Sequence, residues 1–503
     1  MYSTDFSLNS NYVKLVEFFL RLGNFRACTK KNCLQAPLSI MKYIFWNLLV
    51  QLTTCADLRT FTVPLDNFSP VSPDGKFEMR YLIDTSHFDS TNKCVLFVIL
   101  GGEATMKNTT HMGYPFVSER LARKFQAAVV QTEHRFYGES KPISGDYMQR
   151  YLSVEQALED YASLIAYLRS MVSCARKVVG VFGGSYPGAL AALMRLRYPN
   201  LVDFAHASSA PLGFYGGRLG NKYDYYSIVT AEVARIDSTC PGMIRNALRA
   251  VKDISGVDVC DDATTSLEEI IQIVRAFFAN QNMANYPPGK GGEVVARLCD
   301  HIRDRKDDVD RFHALIEFVA REQAKGRSCL DVRVERPTGS NRAICADHSG
   351  CGSGDDGRSW DYQACTELPH AIASNGESDM FPPMEFSKYI LETYCLDRFG
   401  VTPNYSKLNM FWGIDRIDQL TSRILFVNGA RDGWTASAVT NATHAILIPS
   451  GAHHSEMGAP REDDTRDMRE ARDRIEAIIG GYIHQVYEEF EMSDDELFTY
   501  ETV

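Results

Sequence analysis

Short, unbroken apolar runs punctuate this chain, and each ends in glycine or in a polar, aromatic loop. Val178 to Phe182, within KVVGVFGGSYPGALAALMRLRYP, is too short for a helix and predicts a buried strand. Cys94 to Leu100, Ala127 to Thr132, Val202 to Ser208, Arg423 to Asn428 and His444 to Pro449 read the same way, as strands covered on both faces. Ahead of them, Arg59 to Phe68 suits an edge strand, and Phe77 to Ile83 alternates as a second one. Between the strands the period changes. Phe116 to Phe125 reads as a helix, and Ser153 caps another, with Gln156 completing a capping box and Val154, Leu158, Tyr161, Ile165 and Leu168 on one face. Strands alternating with helices predict a doubly wound, mostly parallel sheet.

At about Gly216 the texture shifts. Residues 217–405 lack parallel-strand runs and are helical in pattern, with amphipathic stretches at Ile228 to Ile236, Met243 to Val251, Leu267 to Phe278 and Val309 to Ala324. This segment is read as a cap inserted into a sheet domain built from 57–216 and 406–490, with 491–503 as an acidic, solvated tail. At the other end, Met41-Lys42, the apolar YIFWNLLVQL and Thr54-Cys55-Ala56 resemble a secretory signal over 41–56, too short to span a bilayer stably, behind an extension, 1–40.

Cysteines support export. Of 13, Cys28, Cys33 and Cys55 precede the expected cut. Eight of the rest fall within the cap: Cys240, Cys260, Cys299, Cys329, Cys345, Cys351, Cys365 and Cys395. No C-x-x-C pair points to a metal, so these eight read as a disulfide framework with open connectivity, and no metal or cofactor is expected. Cys94 and Cys174, each before a strand, are taken as a further pair. Sequons at Asn67, Asn108, Asn404 and Asn441 fit a glycoprotein. Hydrophobic residues make up 45% of the 503, enough for real cores, and a net charge of −11 argues against nucleic acid as a partner. Oligomeric state is not legible, and a homodimer stays open.

Chemistry gathers at strand ends. Strand, tight turn with Ser185 at its tip, then helix is the geometry of a nucleophile elbow, although Pro187 breaks the usual G-x-S-x-G pattern. The N–H of Tyr186 can hold an oxyanion, and the Gly101-Gly102-Glu103 turn after another strand is placed to supply a second N–H, from Gly102 or Glu103. Glu133 to Glu139 forms a polar and aromatic loop in which Arg135 is expected to pair with a carboxylate, Glu133 or a substrate's. Asp432 follows one late strand, and His453-His454 follows the next. The order Ser, Asp, His is that of α/β hydrolases, so the fold class expected is an α/β-hydrolase doubly wound sheet with an inserted helical, disulfide-rich cap domain. Serine needs a neutral imidazole to take its proton, and the acid fixes that imidazole's tautomer. By spacing alone either histidine can be the base. Trp360, Tyr362, Gln363 and Glu367 are the most site-like part of the cap.

The segments EHRFYGES (133–140), YLSVEQALEDYA (151–162), FGGSYPGALAALMRLRYP (182–199), WDYQACTE (360–367), NGARDGW (428–434) and GAHH (451–454) together resemble the serine peptidase family of lysosomal Pro-X carboxypeptidase, dipeptidyl peptidase II and thymus-specific serine protease. The resemblance implies a serine exopeptidase acting on short peptides at prolyl bonds, in lysosomes or outside the cell. It places the triad on Ser185, Asp432 and His453, and substrate contacts on Ala189, Trp434, Glu367 and Trp360. Two departures bear on specificity: Pro187 and Ala189 stand where the family has glycine and a pocket-lining methionine, so Ala189 implies a roomier pocket. A carboxylesterase or lipase on the same scaffold, or a non-catalytic binding protein, are the competing readings.

Overall fold

The computed structural model describes the backbone at 26–29, 32–35, 53–54 and 56–500, apart from 70–74, 90–93, 107–110, 143–146, 173, 175, 216–220, 261–264, 287–288, 324–328 and 333–335. The extension and signal expected over 1–56 therefore fall mostly outside the described residues. Arg26–Thr29, Asn32–Gln35 and Thr53–Thr54 form a small separate sheet.

The strands expected from the apolar runs are present. They are β1 (Asp57–Pro64), β2 (Lys76–Asp84), β3 (Cys94–Ile99), β4 (Ala128–Thr132), β5 (Lys177–Gly184), β6 (Phe204–Ser208), β7 (Ile424–Gly429) and β8 (Ala445–Ile448). They make one eight-stranded sheet in the order β8-β7-β6-β5-β3-β4-β2-β1. β3 to β8 run parallel, and β2 is antiparallel to both its neighbours, β4 and β1. The antiparallel edge accounts for the alternation at Phe77, Met79 and Tyr81, which point inward, while β6 and β7 are buried throughout. Helices α1 (Val154–Ser170) and α2 (Tyr186–Arg197) cover one face. Phe116–Phe125 and α11 (Arg466–Tyr500) cover the other.

Local details depart from expectation. Phe116–Leu121 is wound as a π-helix that passes into Ala122–Phe125. Ser153 does cap α1 through the N–H of Gln156, but the box is not completed, because the Gln156 side chain turns instead to the N–H of Asn67 and to Asp66. Residues 491–500, expected as a tail, continue the backbone of α11.

The cap holds α3 (Asp224–Ile236), α4 (Cys240–Ala250), α5 (Leu267–Met283), α6 (Lys290–Arg303), α7 (Asp308–Gln323), α8 (Gly354–Ala364) and α9 (Lys388–Phe399). Helical structure runs on through α10 (Lys407–Trp412) to Leu420, and the sheet resumes at Ile424, within the run expected as a strand. All eight cap cysteines are paired, Cys240–Cys299, Cys260–Cys329, Cys345–Cys351 and Cys365–Cys395. Cys94–Cys174 joins the starts of β3 and β5, neighbours in the sheet.

Candidate active site

The carboxyl ends of β3, β5, β7 and β8 converge below the cap, where parallel sheets present their ligands. Ser185 follows β5 directly and adopts φ 66° and ψ −132°, a left-handed conformation that L-residues avoid and that lifts the side chain clear of the sheet. Space for the turn comes from glycine. A Cβ on Gly183 would lie 2.0 Å from the Pro187 carbonyl oxygen, and one on Gly102 would lie 2.2 Å from the Pro187 ring. Pro187 thus sits in the first turn of α2, where its missing N–H has no helical partner to lose, and its ring closes against the Gly102 turn. The N–H of Tyr186 belongs to the same unpaired first turn, beside the hydroxyl.

Asp432 opens the loop after β7 and is fully buried. Its Oδ2 lies 2.7 Å from Nδ1 of His453, and its Oδ1 accepts the Trp434 N–H at 3.1 Å. The cap braces this loop: Asn282 on α5 donates to the Arg431 carbonyl at 2.8 Å and accepts the Gly433 N–H at 2.9 Å, one contact on each side of the acid. His454 has a different role. It makes no contact with Asp432, its N–H donates to the Ser209 hydroxyl at 2.9 Å, and burial beside His453 drives its imidazole down to about 4. His453 is thus the ring of the pair that is bonded to the acid.

Ser185, His453, Gly102 and Glu103 line one cavity of about 530 Å³. Ser185 is within hydrogen-bonding reach of the Glu103 carboxyl, which also feels His453; burial pushes that carboxyl up. Trp360 and Trp434 line the cavity, together with Tyr215, Pro211 and residues of α5 from the cap. The stretch 347–352, closed by Cys345–Cys351, supplies Asp347 as the second acid of the wall. Asp347 is held by the Trp360 Nε1–H at 2.9 Å and by Ser349, whose N–H and hydroxyl donate at 2.9 and 2.7 Å. Lys and Arg are absent from this wall, among the described residues.

Two expected contacts do not reach the cavity. Ala189 of α2 is 1% exposed and is not among the residues lining the cavity. Glu367 lies behind the wall, where its carboxyl accepts the Val154 N–H at 2.6 Å and pairs with Lys407 at 2.8 Å; burial outweighs that lysine and pushes it up to about 7. Arg135 does pair with a carboxylate, but that of Asp160 on α1, through two hydrogen bonds of 2.7 Å, rather than Glu133. Glu133 pairs with Arg80 instead and also accepts the Met106 N–H at 2.9 Å, fixing the turn that carries Gly102. His134 at 3.0 Å and Gln363 at 3.0 Å hold the Tyr186 hydroxyl, tying elbow to cap.

Among the described residues, the one grouping of metal-ligand type is Cys345, Cys351 and Asp361, and both sulfurs are in the disulfide. Asn404 and Asn441 are exposed, whereas the Nδ2 of Asn67 donates to the Gln156 carbonyl and to Asp160; Asn108 lies outside the described residues.

The bovine (Bos taurus) lysosomal Pro-X carboxypeptidase is 29% identical over 465 residues, covering 85% of this chain and 88% of that protein. The human (Homo sapiens) protein of the same name is 26% identical over 450 residues, covering 82% and 85%. The mouse (Mus musculus) thymus-specific serine protease is 28% identical over 457 residues, covering 84% and 87%. The model of the serine carboxypeptidase S28 family matches residues 63–475, and with most of its length so accounted for, this chain belongs to that family and is a serine peptidase.

Proposed function

We propose that the enzyme removes residues from the end of short peptides at prolyl bonds, through a Ser185–His453–Asp432 triad. The Ser185 hydroxyl attacks the scissile carbonyl while His453 Nε2 takes its proton, and the N–H groups of Tyr186 and of Gly102 or Glu103 receive the oxyanion. His453 returns the proton to the leaving amine, and water then releases the acyl group by the same steps. The observation that carries this reading is the 2.7 Å contact between Asp432 and His453 beside the cavity that holds Ser185. Trp360, Trp434 and Tyr215 form an apolar, aromatic wall suited to a proline ring.

The charge of the wall favours the amino end of the substrate. Glu103 and Asp347 would meet an ammonium, and among the described residues of the wall there is no Lys or Arg to meet a carboxylate. A carboxypeptidase mode, as in the name of the relatives, is supported by one feature: Arg461, paired with Asp463, lines an adjoining cavity that His453 shares. The names of these relatives and the exposed Asn404 and Asn441 support a glycosylated protein of lysosomes or the extracellular space. Among the described residues no helix is long and apolar enough to cross a membrane.

The test is turnover of three matched substrates: a free Xaa-Pro anilide, its N-acetyl form, and an N-blocked peptide ending in Pro-Xaa with a free carboxylate. The proposal expects the first to be cleaved and the second to lose at least about tenfold in kcat/KM, the size of one charge-assisted contact. Cleavage of the third alone assigns the carboxypeptidase mode, and turnover of a long acyl ester run beside them, with none of the three cleaved, rejects peptidase action through this site.

A further inference from the structure

Below the histidine loop lies a polar cluster that the chemistry above does not use. Ser208 ends β6, His206 stands two residues before it, and Glu456 sits in the short 3₁₀ turn Ser455–Met457 that follows the two histidines. All three are at most 1% exposed. The Ser208 hydroxyl donates to Glu456 Oε1, and His206 Nε2 lies 3.3 Å from the same oxygen. The backbone of Ser208 points the other way, since its carbonyl accepts the N–H of Ser185 at 2.9 Å. Ser209, at φ 45°, adds a parallel link through its hydroxyl, which accepts the His454 N–H at 2.9 Å. From the opposite side Arg472 of α11 donates to the carbonyls of Glu456 at 2.9 Å, Ser455 at 3.3 Å and Gly458 at 3.2 Å.

We infer that Ser208 and Glu456 are positioning residues that set the distance between nucleophile and base. One residue grips the elbow by its main chain and the histidine turn by its side chain, so the two catalytic loops share a single anchor at the end of β6. A buried carboxylate is a costly way to fill space, and an apolar side chain would pack there at lower cost. What the carboxylate adds is direction: it fixes the turn against a central strand to within a hydrogen bond's tolerance. Misplacement of a reacting group by about 1 Å is enough to cost roughly a hundredfold in rate. Burial opposes ionisation of Glu456, but the neighbouring His206 and the hydrogen bond from Ser208 prevail and hold its carboxyl below the usual range.

The inference rests on the triad proposed above, and the test separates the two. Full-length Ser208→Ala, Glu456→Ala, Glu456→Gln and Ser185→Ala are compared on an Xaa-Pro anilide, with melting temperatures measured alongside. Ser208→Ala and Glu456→Ala are expected to lower kcat by about tenfold to a hundredfold with KM within about twofold, because the acyl pocket is untouched. Glu456→Gln, which keeps an oxygen for the Ser208 hydroxyl, is expected to recover most of the loss. A Ser208→Ala enzyme with wild-type kcat, or losses that disappear when each variant is assayed well below its melting temperature, overturns the inference. If Glu456→Ala does not fold, Ser209→Ala measures the parallel link with Glu456 intact, and wild-type kcat there counts equally against it. Turnover surviving in Ser185→Ala rejects the triad itself. Its loss there, with full turnover in Ser208→Ala and Glu456→Ala, rejects only the positioning role.

Discussion

Replacing Asp432 by Asn isolates the electronic part of the site from its shape. The acid is fully buried, and its two oxygens have different partners: Oδ1 accepts the Trp434 N–H and Oδ2 faces His453 Nδ1 at 2.7 Å. Only the amide oxygen of Asn can accept from Trp434, so its NH2 is directed at His453. A donor there forces Nδ1 to accept, which moves the imidazole proton to Nε2, the atom that must take the proton of Ser185. The loop has little freedom to escape this, since Asn282 holds both Arg431 and Gly433. The expected loss in kcat is about 10⁴-fold, on the order of 5 kcal/mol in the barrier, with KM changed by no more than a few-fold. Steady-state hydrolysis of an Xaa-Pro anilide at neutral pH measures it, with circular dichroism to confirm folding. A folded Asp432→Asn enzyme within about tenfold of wild type would refute the assignment of the acid and the tautomer argument with it.

Two further outcomes follow from residues that the structure moved away from the cavity. Burial raises the Glu367 carboxyl to about 7 from the ordinary 4.5, so between those values the unfolded chain ionises more readily than the folded one. Stability should therefore fall as pH rises through that window, and Glu367→Gln should flatten the dependence of melting temperature on pH; equal slopes in the two proteins would contradict it. Ala189→Met, at a buried site outside the cavity lining, should destabilise the fold by about 1–3 kcal/mol while leaving KM for prolyl substrates within about twofold. A selective rise in KM without loss of stability would put Ala189 back in the substrate pocket.

What could be read from the chain divides along physical lines. The strands of the sheet core showed because burial on both faces demands unbroken apolar runs, and the elbow showed because its backbone needs glycine next to the serine. Helices α6 and α8 did not. α6 opens with Lys290-Gly291-Gly292, which local propensity disfavours, yet a Cβ on Gly291 would lie 2.1 Å from the Gln281 carbonyl of α5, so glycine there permits close helix packing. α8 reads GDDGRSWDYQA, whose polar start resembles a loop until Asp356 is seen anchoring the N–H groups of Thr105 at 2.8 Å and Gly138 at 3.0 Å. Glu367 was misassigned because its neutralising partner, Lys407, is 40 residues away and invisible to local pattern. Asn282 was missed for the same reason, standing 151 residues from the Gly433 it steadies. Ala189 could not be oriented from sequence, because which face of α2 looks toward the cavity depends on how that helix docks on the sheet.

The whole account depends on Ser185 being the group that attacks carbonyl carbon. Intact-mass and peptide-level spectrometry after treatment with a fluorophosphonate tests this directly. One adduct per chain is expected, on the peptide carrying Ser185, formed in step with loss of hydrolysis and slowed by an Xaa-Pro substrate. An adduct on another residue, or full hydrolytic activity in protein whose Ser185 is modified, would contradict it.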